Sequence, residues 1–179
     1  MTVNSPVTIR RARRDDVGVI VAMLADDPLG AARERIEDPL PSCYFGAFEA
    51  LEGDPNIRLV VAEDGEGAVV GCLQLCILPG LSSQGAARAL IEDVRVASRC
   101  RSRGIGEQLV QWAVAEARGK GCKLVELLTH HTRVDAQRFY ERHGFTVEER
   151  SDGSGNEERA PDLRYAWRPS AKQGPRPRP

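Results

Sequence analysis

Apolar and polar positions change period several times along the chain, and each change predicts an element. Residues 7–12 (VTIRRA) run apolar then basic and read as a short first strand. Val17, Ile20, Val21 and Leu24 then recur at helical spacing over residues 17–25, with Asp15 and Asp16 placed to cap the helix. Pro28 and Gly30 break it. Residues 31–38 read as a second short, charged helix closed by Pro39 and Pro41. Residues 42–51 read as a third, with Tyr44, Phe45 and Phe48 along one side, and Gly53, Asp54 and Pro55 make a turn.

The period then drops to two. Residues 57–63 (IRLVVAE) form a strand, 64–67 (DGEG) a hairpin turn, and 68–78 (AVVGCLQLCIL) a longer strand. A loop over 79–84 leads to a strand at 87–97 (ARALIEDVRVA). Helical spacing returns over 105–118, where Ile105, Leu109, Trp112 and Ala113 line one face, and Gly119 and Gly121 end it. A buried strand at 123–128, a helix at 134–142 stopped by His143 and Gly144, and strands at 145–149 and 163–167 follow, the last two separated by a polar loop at 151–162.

The 179 residues fit one domain, expected over 1–168, with a core that needs no disulfide or metal. Residues 169–179 (PSAKQGPRPRP) hold four prolines and no acid and read as a disordered tail. With 25 Lys plus Arg against 26 Asp plus Glu, the net charge of -1 gives no basic field for nucleic acid. The longest apolar run, 19–25, is far short of the ~20 residues of a membrane span. The first residues lack the apolar stretch of a signal peptide, so the expected compartment is the cytoplasm and no membrane partner is expected. Five cysteines without a CxxC pair argue against a disulfide framework and against zinc. Cys72 and Cys76, four apart in a strand, share one face as small core residues, and adjacent His130 and His131 point to opposite faces of an extended chain; no metal is expected.

Candidate chemistry concentrates in residues 94–106 (VRVASRCRSRGIG). A strand runs into a turn with Arg99, Arg101 and Arg103 at alternate positions, then Gly104 and Gly106, then an amphipathic helix. Unpartnered N–H groups and the dipole at a helix start favour an anion, glycines let the backbone approach a phosphate, and arginines add attraction and bidentate contacts. The stretch is not a dinucleotide fingerprint, because Leu109 stands where the third glycine belongs. Nor is it a Walker-type loop, because Glu107 and Gln108 follow Gly106. On the residues alone, a solvated basic turn capping a helix reads equally well.

The pattern Arg101-x-x-Gly104-x-Gly106 resembles the pyrophosphate-binding signature [QR]xxGx[GA] of the GNAT superfamily of N-acetyltransferases. Residues 91–96 (IEDVRV) look like the central strand before that signature, and 136–145 (AQRFYERHGF) is similar to the family's later A-x-x-[FL]-Y-x-x-x-G-F block. The resemblance covers residues 57–150. It implies an α/β (α+β) fold, a mixed, twisted central sheet of six to seven strands flanked by helices on both sides. The central strand and the strand at 123–128 are then expected to splay apart.

Acetyl-CoA is the cosubstrate that the resemblance implies, its pantetheine along Val94, Arg95 and Val96 and its pyrophosphate on Arg101, Ser102, Arg103, Gly104, Ile105 and Gly106. Many members carry an asparagine before the last helix; here Thr129 is a candidate for its hydrogen bond, or Arg133 for a CoA phosphate. Tyr140 matches the family's general acid for the leaving thiolate. A lysine-like amine of pKa ~10.4 is only about one part in a few thousand neutral at pH 7, so a base helps. Glu92 is preferred because the IED run resembles that of glucosamine-phosphate N-acetyltransferases and because regular alternation puts Glu92 on the face of Val94 and Val96; Asp93 and a water relay are the alternatives.

The implied activity is transfer of an acetyl group to a primary amine of a small molecule by direct attack on the thioester. Protein acetylation and a catalytically silent acyl-CoA sensor are the alternatives, and a homodimer is compatible with the family. Acceptor choice in such proteins comes from segments matching 24–44 and 79–88 here. The first carries Asp26, Asp27, Glu34, Glu37 and Asp38, an acidic bias that attracts a cationic amine, whereas Arg88 and Arg95 are the cations available to a sugar phosphate.

Overall fold

Seven strands share one sheet in the computed structural model, which describes residues 6–26, 28–148 and 163–169. In chain order they are β1 (Thr8–Arg11), β2 (Ile57–Glu63), β3 (Val69–Leu78), β4 (Arg88–Val96), β5 (Leu124–Thr129), β6 (Thr146–Glu148) and β7 (Leu163–Trp167). The helices are α1 (Val17–Ala25), α2 (Pro28–Ala31), α3 (Ser42–Gly53), the single irregular turn α4 (Ser82–Gly85), α5 (Ile105–Gly119) and α6 (Val134–Arg142). Strand order is β1-β2-β3-β4-β5-β7-β6, and only β4 and β5 run parallel. The expected polar loop at 151–162 lies outside the described residues, as does the expected tail beyond Pro169.

The sheet carries a core on each face. Leu73, Leu75, Ile91, Val125, Leu127 and Tyr165 pack against Ile105, Leu109 and Val110 of α5 and Tyr140 of α6. On the other face Val61 and Cys72 pack against Ile20 and Val21 of α1 and Phe48 of α3, with Tyr44 and Phe45 at the border. Helix α5 comes close to β3 because residue 71 is glycine: a Cβ there would stand 3.0 Å from Arg95 O and 3.1 Å from Leu109 Cδ1.

Two expectations for the N-terminal segment are corrected. No helix covers 31–38; the helical turn falls earlier, on Pro28–Ala31, and residues 32–41 are non-helical. Proline is compatible with a first helical turn. Beyond it the Arg35 N–H is taken by the Tyr44 hydroxyl (2.9 Å), which itself donates to Glu34 Oε2 (3.0 Å), so a tertiary contact replaces a helical one. The side chains of Asp15 and Asp16 do not cap α1 either. Asp16 closes the 3-10 turn Arg14–Asp16 by accepting the Arg13 N–H (2.7 Å) and holds the Arg10 guanidinium at 2.7 and 3.1 Å. Burial pushes the Asp16 carboxyl up, but the Arg10 and Arg13 hydrogen bonds and charges outweigh it and hold the group below its ordinary value.

What positions the site is the course of β4. Its first half pairs with β5, from Arg88↔Leu124 to Ile91↔Leu127, and there the pairing stops. The rest of β4 keeps only its β3 partners, so the expected splay between the two parallel strands is present. Between Glu92↔Gln74 and Arg95↔Cys72 the strand places Asp93 and Val94 opposite the single residue Leu73, a β-bulge with Asp93 in the left-handed region (φ 51°).

The bulge resets the alternation of side chains. Ala89 and Ile91 belong to the α5-side core, and beyond the bulge Val94 and Val96 pack against that same core. Glu92 instead lies beside Gln74 and Cys76 on the other face. The expectation that Glu92 shares a face with Val94 and Val96 is thus corrected, because one extra residue inverts the phase of everything after it.

Candidate active site

A cleft of about 930 Å3 opens where β4 leaves β5, between the end of β4, the turn before α5, the first turn of α5 and one side of α6. Its walls include Val94, Arg95, Val96, Arg101, Ser102, Gly104, Ile105, Gly106, Arg133 and Tyr140, all singled out from the sequence. Arg103, Thr129 and Glu92 are not among its lining residues. Thr129 is buried at the end of β5, opposite Leu163 of β7. Glu92 is on the opposite face, just past the last residue of β4 that pairs with β5.

The turn before α5 is shaped by left-handed residues. Ser102 has φ 62° and Gly104, the residue that starts the helix, φ 75°. For Gly104 that conformation carries no Cβ penalty. The first helical hydrogen bond is Gln108 N–H to Gly104 O at 3.1 Å, which leaves Ile105, Gly106 and Glu107 N–H without helical acceptors at the cleft wall. A Cβ on Gly106 would stand 3.5 Å from the Phe139 ring and 3.7 Å from Val96 Cγ2, ordinary contact distances. Such a cradle of backbone donors fits a phosphate or pyrophosphate.

Arg101 is already engaged. Its Nη2 donates to Asp26 Oδ2 (2.9 Å) and Asp26 O (3.1 Å), and its Nε to Val96 O (3.3 Å). The signature arginine therefore ties the end of α1 to the turn, and an incoming anion competes with Asp26 for it. Asp135 and Glu107, in the first turns of α6 and α5, add carboxylates to the wall.

Tyr140 is 9% exposed, edge-on to Phe139 and Phe145, and its hydroxyl makes no hydrogen bond among the described residues. Burial pushes that hydroxyl up to about 12, while the charges of Arg95 and Arg133 pull it down a little. It stays protonated at neutral pH and is free to donate to a ligand in the cleft.

Sequence reasoning missed His143 and Glu107. His143 Nδ1 lies 2.7 Å from Phe139 O, its ring 4.4 Å from the Phe139 ring, and Nε2 is 3.7 Å from Glu107 Oε1, so it joins α6 to α5 at the cleft. The sequence marks it only as a helix stop, because the partner Glu107 lies on another helix.

The acidic bias expected at the acceptor side is compensated in part. Asp26 faces Arg101, Glu34 faces Arg33 at 4.0 Å and Glu37 faces Arg35 at 3.6 Å; Asp38 is exposed, and Asp27 lies outside the described residues. Arg88 is bound to Glu126 (3.2 Å), which Arg164 also holds (2.7 Å). Among the described residues no helix is long and apolar enough to cross a membrane.

Comparison with protein families matches residues 21–145 to the acetyltransferase (GNAT) family. An aminoalkylphosphonate N-acetyltransferase of Salmonella typhimurium is 38% identical over 138 residues, 76% of this chain and 83% of that one. A glucosamine 6-phosphate N-acetyltransferase of Trypanosoma brucei brucei is 36% identical over 84 residues, 47% of this chain and 55% of that one. The crystal structure of a transcriptional regulator from Bacillus halodurans C-125 superposes with a TM-score of 0.78 at 46% identity, covering 84% of this chain and all of that one.

Proposed function

The chain belongs to the GNAT acetyltransferase family, and from that premise we propose that it transfers an acetyl group from acetyl-CoA to the primary amine of a small molecule. The observation that carries this reading is the hydroxyl of the largely buried Tyr140, protonated and without a hydrogen-bond partner among the described residues, in a cleft that also holds a backbone cradle for phosphate. When bound, acetyl-CoA supplies an activated acyl thioester. Ile105, Gly106 and Glu107 N–H would hold its pyrophosphate with Arg101, and the β4 backbone at Val94 and Val96, free of β5, would receive the pantetheine.

In this reading each chain residue has one task. Glu92, at the point where β4 and β5 separate, takes the proton from the ammonium of the acceptor, directly or through one water, so that the amine carries its lone pair. As the amine nitrogen bonds to the acyl carbon and the carbon–sulfur bond breaks, Tyr140 Oη donates its proton to the departing sulfur, and the tyrosinate is reprotonated by the excess proton of the new amide nitrogen. Acid and base approach from opposite faces of the sheet, and the open gap between the strands lets them act on one substrate pair.

Among small amines we favour those that bear a phosphonate or phosphate. The support is the names of the two relatives above together with the pairing of Asp26, Glu34 and Glu37 to arginines, which weakens the case for a cation trap. The test is thiol release from acetyl-CoA over a panel of aminoalkylphosphonates, amino-sugar phosphates, polyamines, aminoglycosides, amino acids and basic peptides. Turnover should be greatest on the phosphorus-bearing amines, and Tyr140→Phe should lower kcat by about a hundredfold with coenzyme A affinity unchanged. Turnover on basic peptides alone would make the protein a peptide acetylase. Tight binding without turnover on any amine would make it an acyl-CoA sensor.

A further inference from the structure

Alternate residues of β3 press against the irregular part of β4. Cys72 Sγ lies 3.6 Å from the Asp93 carbonyl, Gln74 Nε2 donates to Glu92 Oε2 at 2.9 Å, and Cys76 Sγ lies 3.6 Å from the same carboxylate oxygen. Gln74 Nε2 also lies 3.4 Å from Cys76 Sγ, so its two amide hydrogens serve both neighbours. All three residues sit on the face opposite Leu73 and Leu75, which point into the α5-side core. Simple packing explains the two cysteines but not the glutamine between them.

We propose that Gln74 is the positioning residue for the Glu92 carboxylate, and that Cys72, Gln74 and Cys76 together form the support that holds the base and the bulge of β4 in register. This rests on the role proposed above for Glu92. The physical need follows from the splay. Glu92 is the first β4 residue with no β5 partner, its side chain is exposed, and the next residue is Asp93 in a left-handed conformation that a non-glycine residue adopts at a cost. An unsupported glutamate there would distribute over several rotamers and spend little time at the gap. A charge-assisted hydrogen bond from the cross-strand neighbour selects one. Burial pushes the Cys76 thiol up, so it stays an S–H group and adds no charge beside the carboxylate.

Gln74→Met keeps the length of the side chain and removes both donors. It should lower kcat about tenfold through loss of orientation, with amine KM and coenzyme A Kd within twofold of wild type. In a Glu92→Gln background it should cost nothing further, since there is no carboxylate left to position. An unchanged kcat, or a loss as large in the Glu92→Gln background as in wild type, overturns the proposal. A Glu92→Gln protein as fast as wild type removes the base and this inference together while leaving acetyl transfer intact. Absence of turnover in wild type on every amine removes the proposed function itself. Melting temperature monitors the fold, and Gln74→Leu replaces Gln74→Met should methionine disturb the strand.

Discussion

Tyr140 concentrates the physical chemistry of this protein into one hydroxyl. A tyrosine in an unfolded chain titrates near 10, whereas burial holds Tyr140 near 12. Between those values the unfolded chain has lost its proton and the folded one keeps it, so Tyr140 stabilises the fold fully below pH ~10 and that contribution is lost as pH rises toward 12. Urea unfolding across this window should fall more steeply for wild type than for Tyr140→Phe, a comparison in which the buried Tyr165 cancels. Equal slopes would mean an exposed hydroxyl. Tyr140 and Gly104 were readable in the sequence because each sits in a local pattern, a helix block and a turn. The face of Glu92 was not. Alternation places it with Val94 and Val96, and nothing in the residues marks the bulge, since its left-handed position is filled by Asp93 rather than glycine.

At the scale of elements, the cradle depends on how closely α5 lies on β3. Gly71 permits that approach, and the atom its Cβ would strike, Arg95 O, is backbone that moves only if β4 moves. Gly71→Val should therefore cost about 1–3 kcal/mol of stability, read from the urea midpoint, and weaken coenzyme A binding as β4 shifts. A variant of wild-type stability would show that α5 has slack. The helices α1, α5 and α6 follow their hydrophobic periods, and their bounds in the structure match the sequence reading to within a residue. The missing helix at 31–38 failed for a non-local reason: the Tyr44 hydroxyl, 9 residues on, claims the Arg35 N–H.

At the scale of the molecule, one cleft is built from parts far apart in sequence: the end of β4, the turn before α5, and α6, with α1 tied in through Arg101 and Asp26. A ligand that bridges them stabilises the whole fold by mass action. Coenzyme A at a hundredfold its Kd should add about 2.7 kcal/mol and raise Tm by roughly 5–10 °C, measured by thermal shift. No shift would mean that coenzyme A does not bind the folded protein at that concentration. The sequence by itself determined the alternation of strand and helix, the hairpin at 64–67 and the glycine-arginine turn, because side-chain period and backbone sterics act over a few residues. Only the tertiary structure decided which face Glu92 occupies, that Asp26 holds Arg101, and that His143 meets Glu107. Those outcomes depend on strand register and on contacts between segments 36 to 75 residues apart, which no local pattern encodes.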